Sequence, residues 1–140
     1  MLKRLIRLDG VPRSQDLGLL ALRLLIPIPL FLKHGLEKIF RFHAMAGHFP
    51  DPIHIGPVPS LVVAMIADSI CMPLLMVGIA TRWAALWSLG NLFVAWAFVH
   101  HFAFYGPMGD HGELIVLYMG AMVTLFLAGP GKYSIDAHLG

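Results

Sequence analysis

The sequence predicts an all-α integral membrane protein, a four-helix bundle with both termini in the cytoplasm. Three observations predict it. Apolar residues make up 58% of the 140 residues and charged residues 13%, about half of the roughly 25% that a soluble domain carries. Mean hydropathy is +0.76, so lipid is the natural solvent for most of the surface. Four apolar runs follow one another, separated by short turns or by stretches rich in Gly and Pro. No repeat, low-complexity tract or linker divides the chain, which reads as one domain over residues 1–140. A net charge of +2 gives no sign of nucleic-acid binding. Cys71 is the sole cysteine, which excludes an internal disulfide and a dithiol redox motif. No small-residue cleavage site follows a short apolar region, so no cleaved signal peptide is expected.

Residues 1–16 are short and basic, and Leu2, Leu5, Ile6 and Leu8 form a brief amphipathic turn before Gly10 and Pro12 break it. Ser14 or Asp16 caps the first long helix. That helix, Leu17 to Phe40, is the organising element. Arg23 sits inside its apolar run, and Lys33, His34, Glu37 and Lys38 crowd its end. At about 100° per residue, Arg23, His34, Glu37 and Lys38 share one polar stripe. Charges within a bilayer face a bundle interior or a watery cavity, so the other helices must supply partners. Pro27 and Pro29 imply a bend between Arg23 and His34, serving either packing or a ligand.

Residues 41–57 read as a loop broken by Gly47, Pro50, Pro52, Gly56 and Pro57. His43, His48 and His54 within it fit no ligand spacing, so no metal site is assigned. The second run, 58–80, carries Asp68 near its middle and Pro73 beyond it; Thr81–Arg82 is the turn to a third run, 83–103, closing in His100–His101. The fourth run, 112–128, opens with Glu113 and ends at Gly129–Pro130–Gly131. Trp83, Trp87 and Trp96 read as interface anchors or packing, and the methionines as core filler. Lys3, Arg4, Arg7, Arg13, Arg82 and Lys132 fall on the terminal side of four spans, against Lys33, Lys38 and Arg41 opposite. That bias puts both termini inside.

Depth then sorts the polar residues. Arg23 lies roughly 9 Å in from the inner end of the first helix and Asp68 near mid-membrane. They are candidates for a buried ion pair, with Arg23 leaning towards the cytoplasm. His34, Glu37, Lys38, His100, His101, His111 and Glu113 gather towards the outer end. His100 and His101 point about 100° apart, so one of them faces the bundle. Two facing histidines are an axial haem pattern, held here as the weaker reading. Glu113 suits a helix N-terminus as well as a site.

Several of these pieces in this order resemble the DoxX family of membrane proteins. They are Leu22–Arg23; Lys33-His34-Gly35 with Lys38 following; Gly78 with Thr81–Arg82; His100 or His101 closing a helix; Gly112–Glu113 opening the next; and the closing GPGKYSIDA, Gly129 to Ala137. The family commonly has glutamate near the position of Asp68, where this chain has the shorter acid. The resemblance implies a four-helix protein of the bacterial cytoplasmic (inner) membrane. The family takes its name from the small subunit associated with thiosulfate:quinone oxidoreductase.

Two classes of function follow. In the first, the chain is a membrane subunit of a quinone-linked oxidoreductase that holds a quinone or quinol near the outer polar layer. His34, His100, His101, Glu113 and Asp68 are then the proton-transfer candidates, and Arg23, His34, Lys38 and Glu113 the binding candidates. With no flavin or nicotinamide motif, electrons come from a partner subunit or its substrate, which leaves open whether the chain is itself an enzyme. In the second, the chain is a non-catalytic scaffold, a homo-oligomer or an accessory subunit that stabilises a partner complex.

Overall fold

A computed structural model describes residues 13–105 and 112–139, together with Ile6, Leu8 and Gly10. Leu2 and Leu5 of the expected amphipathic turn, and His111, lie outside the described residues. All regular structure among the described residues is helical. Six helices appear: α1, Gln15–Phe40; α2, Phe42–Met45; α3, Pro57–Val77; α4, residues 81–99; α5, Gly112–Ala128; and α6, Asp136–Leu139. The four long helices correspond to the four apolar runs, and α2 and α6 are single turns.

Ser14 caps α1, its hydroxyl accepting the Leu17 N–H at 3.2 Å. The regular bonding pauses at Ile26, the residue before Pro27, and then resumes. α3 stops earlier than the sequence implies. Gly78 takes a left-handed conformation (φ +74°) and its N–H bonds the Leu74 carbonyl at 2.8 Å, a glycine C-terminal stop. Thr81 and Arg82 therefore belong to the first turn of α4 rather than to the turn before it. α4 in turn ends at Val99. His101 and Phe102 are left-handed (φ +49° and +59°), so the chain doubles back and the His100–His101 pair lies just past the helix.

The core is formed by Leu30 of α1, Met72 and Leu75 of α3, Ala84 and Ala85 of α4, and Met122 and Leu125 of α5. The two alanines let α4 lie close against its neighbours. Outward faces are apolar: Leu25, Leu32, Phe40, Ile70, Leu117 and Leu127 are all exposed, which is the surface a lipid-facing protein presents. α1 and α3 are long and apolar enough to cross a membrane, and α5 is apolar over its 17 residues. Trp83 and Trp87 lie exposed on α4. Trp96 instead packs edge-on against Phe102 and Phe104.

Candidate functional site

The polar end of α1 is shaped by an irregularity that no residue pattern announces. Phe31–Gly35 forms a π-helical turn. Such a turn adds a residue without advancing the helix face, so everything beyond it slips by roughly 100° around the axis. Glu37 thereby leaves the stripe it was expected to share with Arg23. It lies partly exposed and pairs with Arg41 at 3.2 Å. Lys38 takes the inward place and is only 7% exposed.

α3 answers with a π turn of its own, Ile66–Cys71, which carries Asp68. The two irregular turns meet closely. A Cβ on Gly35 would collide with the Asp68 backbone carbonyl, so only glycine permits this approach. The Ser69 hydroxyl donates to the Gly35 carbonyl at 2.9 Å, satisfying an acceptor that the irregular turn would otherwise strand. Across this contact the Lys38 ammonium donates to Asp68 Oδ2 at 2.7 Å, with the side chains 9% and 12% exposed. A second Lys38 N–H reaches the His34 carbonyl at 3.4 Å. An ammonium has three donors, and no described residue takes the third.

This ion pair lines a cavity of about 320 Å³ between α1, α3, α4 and α5. Most of its wall is apolar, including Leu30, Val63 and Val94, and the polar groups are His34, Lys38, Asp68, Ser60, Asn91, His100 and Tyr118. α4 bends to the cavity through a third π turn, Ala95–Val99, of which Ala95 and Val99 line the wall. Irregular turns from three helices thus converge on one space, and such turns occur often at functional sites.

The 41–57 loop forms the roof. Phe49, Pro50, Pro52, Ile53 and Ile55 all reach the cavity. Asp51 holds the roof in shape: its carboxylate accepts the N–H groups of Ile55 (3.0 Å) and Gly56 (2.8 Å) and the Ser60 hydroxyl (2.8 Å). Gly56 has φ +103°, a conformation that favours glycine. Local desolvation would raise the Asp51 carboxyl, but the three bonds and the nearby His54 outweigh it and hold the group below the ordinary carboxylate range.

Other residues singled out in the sequence lie elsewhere. The expected Arg23–Asp68 pair does not form. Arg23 is 1% exposed and spends its fork on four backbone carbonyls: Leu75 (2.9 Å), Met76 (3.1 Å), Pro130 (2.6 Å) and Tyr133 (3.0 Å). The physical reason is direction. Helical side chains lean towards the N-terminus, which aims Arg23 at the free carbonyls ending α3 and away from Asp68. It is no wall of the cavity. His101 is exposed outside it, while His100 lines it. Glu113 stands near but is not part of the wall, to which α5 contributes Ile115 and Tyr118. One Glu113 carboxylate oxygen is buried without a hydrogen-bond partner among the described residues. The structure therefore gathers His34, Lys38, Asp68 and His100, and leaves Arg23, Glu37, His101 and Glu113 outside.

Arg23 anchors a clip at the opposite end of the bundle. Residues 129–139 fold back over the start of α1 and the α3–α4 turn. The Lys132 N–H donates to Asp16 at 2.9 Å. Asp136 accepts the N–H groups of Ala80 (2.8 Å) and Thr81 (2.9 Å), capping α4 from a distant part of the chain. Burial by itself would raise the Asp136 carboxyl; the Thr81 and Ala80 bonds and the Arg23 charge overcome that and hold it below the usual range.

A sequence model described as DoxX matches residues 18–101. The chain belongs to the DoxX family. It is also 31% identical over 110 residues to an uncharacterized protein of Haemophilus influenzae, an alignment covering 76% of this chain and 73% of that one. No solved structure matches it. DoxX proteins are membrane proteins, so the exposed apolar faces meet lipid. The DoxX match takes in α1, α3 and α4, and with them all three π turns and the Lys38–Asp68 pair. The GPGKYSIDA clip lies beyond it.

Asp51, Asn91, Tyr118 and Asp136 were not singled out in the sequence. Asp51 had a local signal, an acid before proline with Gly56 and Ser60 following. Asp136 had one only as part of GKYSIDA.

Proposed function

We propose that this chain is a multi-pass subunit of the bacterial cytoplasmic membrane that holds a quinone or quinol head group in the roofed cavity. The single observation that carries the reading is the convergence of three π turns and a buried Lys38–Asp68 pair on one largely apolar space. Its volume of about 320 Å³ falls at the small end of the ligand-pocket range, and an apolar wall with few polar groups suits a flat lipophilic head. In this reading all four long helices cross the bilayer, with the basic termini inside.

When bound, a quinone supplies a two-electron, two-proton acceptor. The uncommitted Lys38 N–H is suited to donating to a carbonyl oxygen, and the Asp68 contact holds the ammonium in place. His34 and His100 border the same space and are the candidates for proton exchange with the head group. The apolar roof limits water around these groups. Electrons come from a partner subunit or its substrate.

A specific observation also favours a second reading, a non-catalytic scaffold. Arg23 and Lys38 both have buried, bonded partners, as purely structural charges would. Extraction and mass analysis of lipophilic molecules separates the two. Wild-type protein should carry quinone in near-stoichiometric amount, and a cavity-filling Val63→Phe variant should lose it while staying folded. Equal, trace amounts from both proteins would leave the scaffold.

A further inference from the structure

At the clipped end a second concavity, of about 640 Å³, opens between the start of α4 and the end of α5. We infer that it binds the phosphate of an anionic phospholipid, with one acyl chain laid along its apolar wall. This rests on the membrane family and not on the quinone reading.

Arg82 carries the argument. It is exposed, yet its guanidinium is held still. Nε donates to the Phe126 carbonyl at 3.0 Å, and the group lies over the Phe126 ring, 5.1 Å from its centroid. That leaves both terminal nitrogens, the pair that recognises a phosphate bidentately, without a bond among the described residues. A preorganised fork loses little freedom on binding.

The surroundings fit a lipid better than a free anion. Trp83, 76% exposed, stands beside the fork on the rim, where an indole suits the headgroup level of a bilayer. Leu86 and Phe126 form an apolar wall. One acid, Asp136, also lines the space, but its oxygens already accept the Ala80 and Thr81 N–H groups. Asp16, the other acid at this end among the described residues, is likewise engaged, by the Lys132 N–H. Both acids keep their charge, but Arg13, Arg23, Arg82 and Lys132 outnumber them among the described residues at this end, so the local balance is cationic. Basic groups near a membrane surface attract anionic lipids.

The test is native mass spectrometry of the full chain in a neutral detergent, titrated with phosphatidylglycerol or phosphatidylcholine. We expect saturable binding of phosphatidylglycerol, stronger than phosphatidylcholine by about tenfold, the worth of one charge-assisted bond. Arg82→Gln should remove that preference, and Arg82→Lys, which keeps the charge without the fork, should fall between. Lys132→Gln, at the same end but outside the concavity, should leave it intact. If Arg82→Gln fails to fold, Leu86→Trp tests the acyl wall, and unchanged binding there overturns the proposal. Equal binding of the two lipids would overturn it, as would an undiminished preference in folded Arg82→Gln. Competition by millimolar inorganic phosphate would reassign the site to a free anion.

Discussion

Removing one member of the Lys38–Asp68 pair should damage the fold more than removing both. At 2.7 Å and an effective dielectric near 20, the mutual attraction is about 6 kcal/mol. Desolvating each ion costs several kcal/mol, so the intact pair nets close to zero against apolar replacements of similar size. A lone survivor keeps its desolvation cost and loses the attraction. Asp68 sits mid-way along α3 on a short side chain that cannot reach towards the membrane surface, so Lys38→Met should cost about 3–5 kcal/mol. Lys38 lies two residues from the end of α1 and has a long stem, so it can reach towards the loop side. Asp68→Leu should therefore cost less, about 1–3 kcal/mol. The double variant should return to within about 1 kcal/mol of wild type. Unfolding by SDS in mixed micelles, followed by far-ultraviolet circular dichroism, measures all four proteins. A double variant equal to the sum of the singles would show that the two charges do not depend on each other, and the account of the site would fail with it.

Three further outcomes follow from other contacts. Gly35→Ala should force α1 and α3 apart and lower stability by several kcal/mol, whereas Gly90→Ala, whose Cβ meets nothing within 4 Å, should be neutral or stabilising by up to about 1 kcal/mol; equal effects in the same SDS titration would contradict the close approach. Arg23→Lys should cost about 2 kcal/mol or more because an ammonium cannot span four carbonyls, a loss readable as a lower melting temperature in detergent. The Asp136 carboxyl titrates below its unfolded value, so its stabilisation is fully present above the ordinary carboxylate pKa of about 4 and is lost as pH falls through the lower folded value. Amide exchange at residues 129–139 should accelerate in that acid window, and Asp136→Asn should show fast exchange already at neutral pH; acid-insensitive exchange in the wild type would refute the cap.

How much of this was legible in the sequence depends on the range of the interaction. The four helices follow from hydropathy and turn residues, because burial in lipid acts on each run separately. The inward places of His34 and Asp68 followed from the cost of charge in an apolar medium. Partner choice did not. A helix wheel assumes 3.6 residues per turn throughout, and the π turn at Phe31–Gly35 breaks that assumption where it matters. It turns Glu37 out of the stripe and leaves Lys38 at the inward position. The irregular turn is a response to close packing against Asp68 and Ser69, and so depends on residues more than thirty positions away. The ends of α3 and α4 were misplaced for a simpler reason. Gly78 could be read either as a late helical residue or as a stop, and the His101–Phe102 reversal uses left-handed residues that are not glycine.

The two buried cations divide the labour between the ends of the bundle. Arg23 has five donors in a rigid plane, and its environment consists of backbone carbonyls that would otherwise be orphaned where α3 stops and the tail turns. Four of the five donors are spent on the backbone, and none of them borders the roofed cavity. Arg23 is a cross-brace, and the Asp16 and Asp136 caps strengthen it. Lys38 faces one carboxylate and one distant carbonyl, has a donor to spare, and borders an apolar space. A structural role alone would be served as well by an apolar pair of similar volume. Retaining an ion pair there is easier to understand if something enters the cavity that a hydrocarbon wall could not hold. The proposed function therefore belongs at the roofed end, and the clipped end is a brace.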